Sequence, residues 1–337
     1  MSSAASAVSG IRSGERVFVQ GAAATPLALL DALAARGDSL RDVETVHLHL
    51  EGSAPHAAPQ LRQSFRPNAF FVGANLRAAV AEGRADYLPV ALSEIPQLFR
   101  QSMPLDVALV HLSRPDAHGF CSLGVSVDVA SSAVSVAKRI IGQINHQMPR
   151  TFGDGVIHLS RLSASFECDL PLPEHPLVVS GPIEQAISRH VTALVEDGAT
   201  LQLGIGAIPD AVLRGLGSHR RLGIHTEMFS DGVLDLVARG VITGEEKRRQ
   251  RGTLVSSFVT GSRAVFDFVN DNPSVELRAQ GQPGLGETPL ARDRMILLSS
   301  STVVGTRPAA KESPRCDHEK GPSSSNWLLQ GNATRAT

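Results

Sequence analysis

Two stretches of this chain, near residues 17–51 and 200–227, follow the same plan. In the first, Val17-Phe18-Val19 is a short apolar run suited to a buried strand, and Gly21 ends it. Thr25 and Pro26 then give a helix-start signal: a capping hydroxyl, then a residue whose missing N–H costs nothing at the first helical position. Leu27, Leu30, Leu33 and Ala34 recur at helical spacing up to Gly37, and Val46 to Leu50 is the next strand. In the second stretch Thr200 to Leu203 is the strand, Gly204-Ile205-Gly206 the turn, and Pro209 opens a helix carrying Val212, Leu213 and Leu216. Counted from Gly21 and Gly204, proline lies five residues on in both copies, and leucines follow at nine and twelve. His49-Leu50-Glu51 then corresponds to His225-Thr226-Glu227. Strand, turn, helix and strand make a βαβ unit, whose crossover obliges the two strands to run parallel. Two such units in 337 residues predict an α/β protein of two tandem related domains with mainly parallel sheets.

The boundary falls where Pro171, Pro173, Pro176 and Pro182 crowd together. Beyond it, Ile183, Ala186, Ile187, Val191 and Leu194 are spaced for an amphipathic helix that opens the second domain. The expected domains are therefore 1–180 and 181–277, followed by a tail of residues 278–337. Apart from the run Met295 to Leu298, that tail is loaded with Gly, Pro, Ser and Thr, and Trp327 has no apolar pattern around it. Too little apolar surface is available there to offset the entropy of ordering, so the tail is expected to be disordered.

Composition narrows the function. With 32 basic and 33 acidic residues the net charge is −1, which gives no electrostatic basis for binding nucleic acid or an anionic membrane. No run approaches the length of a membrane span. Cys121, Cys168 and Cys316 are too few and too scattered for a disulfide framework or a zinc site, which suggests a reducing compartment. The expectation is cytoplasm, or the mitochondrial matrix if the source is eukaryotic. No metal is expected either: His47 and His49 alternate along a strand without a ligand partner at suitable spacing.

The stretch richest in chemistry is LQLGIGAIPDAVLRGLGSHRRLGIHTEMFSDG, residues 201–232. Gly204 and Gly206 free the backbone to approach a ligand, and a helix N-terminus follows. Glu227 comes at the end of the next strand, the edge where ligands gather in parallel sheets. Taken alone, it is equally a solvated strand-end carboxylate. Asp116 and His118, in a projecting SRPDAHG loop, are either substrate contacts or a turn held by aspartate hydrogen bonds. Arg77 is either an anion contact or a surface arginine.

The blocks LQLGIGAIPDAVL and LGIHTEMFSDGV resemble the signature region of the acetyl-CoA hydrolase/transferase family. The resemblance extends from about Ile11 to Leu277 through SGERVFVQGAAATPLALLDAL, FFVGANLRAAVAEGRADYLPV, SRPDAHGFCSLGVSVDV and FVTGSRAVFDFVNDNPSVEL. It implies a tandem pair of α/β domains, with Glu227 as nucleophile and Gly204, Ile205, Gly206, Ala207 and Ile208 lining the coenzyme A site. Glu51, the counterpart of Glu227 in the first copy, would be structural. The activity implied is a CoA-transferase. It would move CoA between an acyl-CoA (acetyl-, butyryl- or 4-hydroxybutyryl-CoA-like) and a short-chain carboxylate such as acetate, through a glutamyl-CoA thioester. An acyl-CoA hydrolase and a non-catalytic binding subunit are the alternatives. Coenzyme A would be a substrate, with no cofactor permanently bound, and a homo-oligomer is compatible with the pattern. The family pattern continues into a GVGGQ-type loop with no counterpart after Leu277, so the second domain is expected to be incomplete.

Overall fold

The computed structural model describes residues 3–175, 180–281, 295–298, 303–305 and 327–329. Met1–His175 with Ser257–Gln282 form one unit, and Pro176–Ser256 with Pro283–Thr337 the other. The expectation carried the second domain through 277. Instead Ser257–Gln282 groups with the first unit, through paired backbone and a half-buried ion pair. Val127 donates its N–H to the Ser257 carbonyl at 3.0 Å, and Gln280 donates to the Asp128 carbonyl at 2.9 Å. Glu276 pairs in parallel with Phe152, and Arg278 meets Asp154 at 3.0 Å.

The first unit is built on β1 (Arg16–Val19), β2 (Val43–His47), β3 (Phe65–Ala69), β4 (Asp86–Tyr87), β5 (Val107–Leu112), β6 (Arg139–Asn145) and β7 (Ala164–Cys168). They form one seven-stranded sheet in the order β7-β6-β5-β1-β2-β3-β4. Every neighbouring pair in it is parallel. Helix α1 (Ala4–Val8) and helix α2 (Leu27–Ala34) cover one face. There Leu29, Leu30 and Leu33 pack with Val8, Ile11, Val17, Val43 and Leu109. Each such fully buried side chain contributes roughly 1.5–3 kcal/mol.

Details differ from the sequence reading. Strand β2 begins at Val43 rather than Val46 and ends at His47, leaving His49 to Glu51 in the loop beyond it. Helix α2 starts at Leu27 and ends at Ala34, so Gly37 lies past its end. Thr25 does not cap it. Its hydroxyl donates to the Ala22 carbonyl at 2.8 Å and accepts the Glu51 N–H at 3.0 Å, tying the β1 loop to the β2 loop.

In the second unit α6 (Pro182–Thr192) leads to β8 (Thr200–Leu203), α7 (Ala207–Gly215), β9 (Gly223–Ile224), α8 (Gly232–Ala238) and β10 (Leu254–Ser256). Here α3, α4 and α5 denote the first-unit helices Arg77–Ala81, Ile95–Gln101 and Ala130–Val136. Strand β8 pairs in parallel with β9 on one side and with β11 (Met295–Leu298) on the other. Antiparallel β12 (Val303–Gly305) and β13 (Trp327–Leu329) extend the same sheet. These last strands were not anticipated. Trp327 pairs opposite Gly305, while its side chain and the remainder of the expected disordered tail lie outside the described residues.

Helix α6 exists as expected but ends at Thr192, and it buries only part of the expected face. Val191 is buried with Ser188, whereas Ile183 is 72 % exposed and Leu194, beyond the helix, 54 %. Helix α7 packs on the small polar side: Ser188 donates to the Ala211 carbonyl at 2.7 Å, and a Cβ on Gly215 would lie 2.7 Å from Thr192 Cγ2. Close backbone approach, made possible by serine and glycine, has overridden the apolar periodicity.

Two stability predictions arise. A Cβ at Gly21 would fall inside contact distance of the His49 carbonyl oxygen, which is already fixed by the Ala22 N–H at 2.7 Å. Gly21→Ala is expected to lose about 1–3 kcal/mol, read as a lower urea midpoint at unchanged slope. The second concerns His56 in the 55–57 turn and His111 on β5, both buried in the first unit. Loss of hydration on burial pushes both down to about 4. Unfolded histidines titrate near 6.5, so the folded state binds these protons more weakly. Stability is then complete above about pH 6.5 and falls as pH drops toward 4, by up to about 3 kcal/mol for each group. Urea midpoints between pH 7 and 4.5 should show the fall, and His56→Phe should flatten part of it.

Candidate active site

The carboxyl ends of β8 and β9 lie on one edge, since Thr200 pairs with Gly223 and Leu201 with Ile224 in parallel register. Beyond the last pair, Thr226 joins the two chains. Its hydroxyl accepts the Leu203 N–H at 2.8 Å, and its proton faces the Leu203 and Met228 carbonyls at 3.0 and 2.9 Å. On the other side, the Thr226 N–H donates to the Val255 carbonyl at 2.9 Å, and Ser256 Oγ donates to the Glu227 carbonyl at 3.1 Å. The backbone of Glu227 is therefore held between β8 and β10, and the residue itself is half-buried.

Leu203 is also the residue that leads into the glycine turn, so the Thr226 bonds bring that turn beside Glu227. Gly206 has φ 116 and ψ 178, a backbone region essentially reserved for glycine. Among the described residues, its chain neighbours aside, no heavy atom lies within 4 Å of where its Cβ would be, so these leave open space beside it. Gly204 is half-buried and Ile205 is 52 % exposed, a large apolar side chain at the rim of that space. Ala207 and Ile208 begin α7, where first-turn N–H groups have no partner inside the helix and favour an anion. Pro209 falls in this first turn rather than opening the helix. The start of α7 is anchored by Ser180, which donates to the Ala207 carbonyl at 2.9 Å.

Asp210, buried in the same turn, is held above the usual carboxylate range by burial, with Arg214 opposing and a Ser230 hydrogen bond helping its charged form. The half-buried Glu227 carboxyl beside a glycine turn and helix start is an arrangement that, in its carboxylate form, can attack an electrophilic carbonyl while holding an anionic ligand. Thr226 and Ser256, which position it, were missed in the sequence. The threonine was legible only as part of the HTEM block, and the serine lies on a strand distant in sequence.

The other candidates resolve differently. Asp116 accepts the His118 and Phe120 N–H groups, each at 2.9 Å, and Arg150 at 2.9 Å. These bonds hold its carboxyl below the usual range, led by the Phe120 N–H, and make the segment a turn pinned by its aspartate. Arg77 is exposed at the first residue of α3. Glu51 bonds His175 Nε2 at 2.8 Å. In the first unit the strand order reverses between β1 and β5, where parallel sheets usually open a ligand crevice. Here Gln20 fills it. Its amide donates to the Leu123 and Ser126 carbonyls at 2.8 and 2.7 Å and accepts the His111 N–H at 2.7 Å. Among the described residues no group of three or more His, Cys, Asp or Glu is placed to hold a metal, and no helix is long and apolar enough to cross a membrane.

Comparison with known proteins identifies the family. The family described as acetyl-CoA hydrolase/transferase N-terminal domain matches residues 1–198. The succinyl-CoA:acetate/propanoyl-CoA:succinate CoA transferase of Fasciola hepatica is 47 % identical over 271 residues, covering 79 % of this chain and 56 % of that protein. The 4-hydroxybutyrate coenzyme A transferase of Clostridium kluyveri is 42 % identical over 299 residues, covering 88 % of this chain and 70 % of that one. The chain thus spans little more than half the length of the first relative. Among solved structures, RipA from Yersinia pestis superposes with a TM-score of 0.80 at 33 % identity, over 83 % of this chain and 68 % of that one. On sequence and fold together, the chain belongs to the acetyl-CoA hydrolase/transferase family.

Proposed function

We propose that this chain carries the nucleophile of a CoA-transferase that exchanges CoA between an acyl-CoA and a short-chain carboxylate. The observation that supports it best is the Thr226–Leu203 pairing, which puts a half-buried glutamate beside a glycine turn at a helix start. Relatives that act as CoA transferases on succinyl-CoA and on 4-hydroxybutyrate point to the same class.

In this reading a Glu227 carboxylate oxygen attacks the thioester carbonyl. The tetrahedral oxyanion collapses, expelling CoA thiolate and leaving a mixed anhydride. The thiolate then attacks the glutamyl carbonyl, so the acyl group departs as a free carboxylate and Glu227 becomes a thioester with CoA. An incoming carboxylate attacks that thioester, and the two steps run in reverse. No net proton is taken up or lost. The first-turn N–H groups of Ala207 and Ile208 would offer dipoles to the anionic parts of CoA, and Ile205 an apolar contact. Water reaching the glutamyl thioester would turn the same site into a hydrolase. Product analysis with and without added acetate separates the two outcomes.

Glu227→Gln keeps the side-chain shape and removes the nucleophile. Transfer should fall by roughly three orders of magnitude with circular dichroism unchanged. Borohydride added during turnover should reduce a thioester on the Glu227 peptide of the wild type and leave the Gln variant unmodified. Full transfer by the Gln variant would dismiss Glu227.

A second test concerns the turn. Gly206→Val forces a β-branched residue to φ 116 and fills the open space beside it. Gly240, at φ 68 past the end of α8, provides a control with its own strain. The Gly206 variant should weaken CoA binding at least about tenfold more than Gly240→Val, measured by calorimetry. Equal effects would remove the turn from the CoA site.

A further inference from the structure

The mechanism above does not use Lys247, which is buried in the second unit at 2 % exposure. It sits in the segment Gly244–Gly252, a loop closed on itself by the Gly252 N–H donating to the Gly244 carbonyl at 2.9 Å. Its neighbours Glu245, Glu246, Arg248 and Arg249 are exposed, and Glu246 pairs with Arg221 at 2.5 Å. Lys247 alone of this charged run turns inward. Its stem lies flat on β9, where a Cβ on Gly223 would come within 2.6 Å of Lys247 Cγ. Its Nζ donates to the Ile224 carbonyl at 2.8 Å and to the Thr253 carbonyl at 2.5 Å.

Those two carbonyls belong to the segments that hold Glu227. Ile224 ends β9, three residues before Glu227. Thr253 precedes β10, whose Val255 carbonyl accepts the Thr226 N–H and whose Ser256 hydroxyl reaches the Glu227 carbonyl. Between β9 and β10 the described backbone pairing is sparse: one bridge, His225 with Val255. The ammonium supplies a second tie, one step back from it. Burying a charged amine is costly unless its protons are bonded, and an aliphatic side chain would fill the same space more cheaply. The lysine here provides what a methylene chain cannot: donors shared between two strands.

We infer that Lys247 is a positioning residue for the Glu227 nucleophile, clamping β9 to β10 through two main-chain carbonyls so that the carboxylate meets the thioester in attack geometry. The inference rests on the proposed role of Glu227 and extends it to a residue that acts on it through the main chain of two strands. A loosened clamp leaves acyl-CoA binding intact and lowers the rate at which bound thioester is attacked, because a displacement of about 1 Å at the nucleophile is enough to cost up to about 100-fold.

The experiment measures borohydride capture at Glu227 in the full chain, with acetyl-CoA as probe. The end-point of labelling counts folded, competent sites, and the rate at saturating acetyl-CoA reports how well the nucleophile is seated. Two variants are compared with wild type. Lys247→Met removes the donors, and Gly223→Ala keeps the ammonium but displaces its stem. Both are expected to reach the wild-type end-point per folded molecule, with rates lower by about 10- to 100-fold and half-saturating acetyl-CoA within about twofold. If Lys247→Met does not fold, Gly223→Ala decides alone. Wild-type capture with unchanged variant rates overturns the positioning role and leaves Glu227 in place. A change confined to half-saturation overturns it too, since it would make Lys247 part of the binding site. No capture in the wild type brings down the Glu227 reading, and this inference with it.

Discussion

One hydroxyl holds the ends of two strands together. Without Thr226 Oγ1 accepting the Leu203 N–H, β8 and β9 would part after Leu201 and Ile224, their last paired residues. A parallel pair normally diverges at its carboxyl ends, and that divergence is what makes room for a ligand. A short side chain bonding back to the neighbouring strand controls how far the opening goes. It leaves the glycine turn on one side and the glutamate on the other. Threonine suits the task because its hydroxyl both accepts and donates within reach of the backbone.

The same plan, met in the first unit, has been closed. Thr25 and Ala22 bind the β1 loop to the β2 loop, and the Gln20 amide occupies the crevice between β1 and β5 with three hydrogen bonds. Glu51 occupies the place of Glu227 but spends its carboxylate on His175. The two copies differ in whether polar side chains fill or frame the edge. A buried amide with its donors and acceptor satisfied costs little and leaves nothing for a ligand.

Much of this was legible in the sequence because it is local. The strand Thr200–Leu203 and the glycine turn after it follow from neighbouring residues, as does the helix carrying Val212 and Leu213. What was illegible depends on distant partners. Ile183 and Leu194 have helical spacing, yet periodicity does not say which face meets a neighbour, and here Ser188 and Gly215 decided it. Thr25 has the composition of a cap, but a loop twenty-six residues away claimed its hydroxyl. Lys247 was hidden in a run of charges that would ordinarily all face water. For the glutamate itself, residue chemistry left two readings open, and only the family resemblance favoured one of them.

The order in which the chain is assigned to its two units bears on how it folds as it is made. The first unit draws on Ser257–Gln282, which leave the ribosome only after all of Pro176–Ser256. The seven-stranded sheet can therefore form early, but the pairing of Glu276 with Phe152 and the contact of Arg278 with Asp154 cannot. Until they do, the nascent first unit carries an unpaired strand edge at Phe152 and an unmatched aspartate. Unpaired strand edges on incomplete domains are where chaperones act and where misassembly starts. Synthesis rate through the second unit thus sets how long the first remains unfinished.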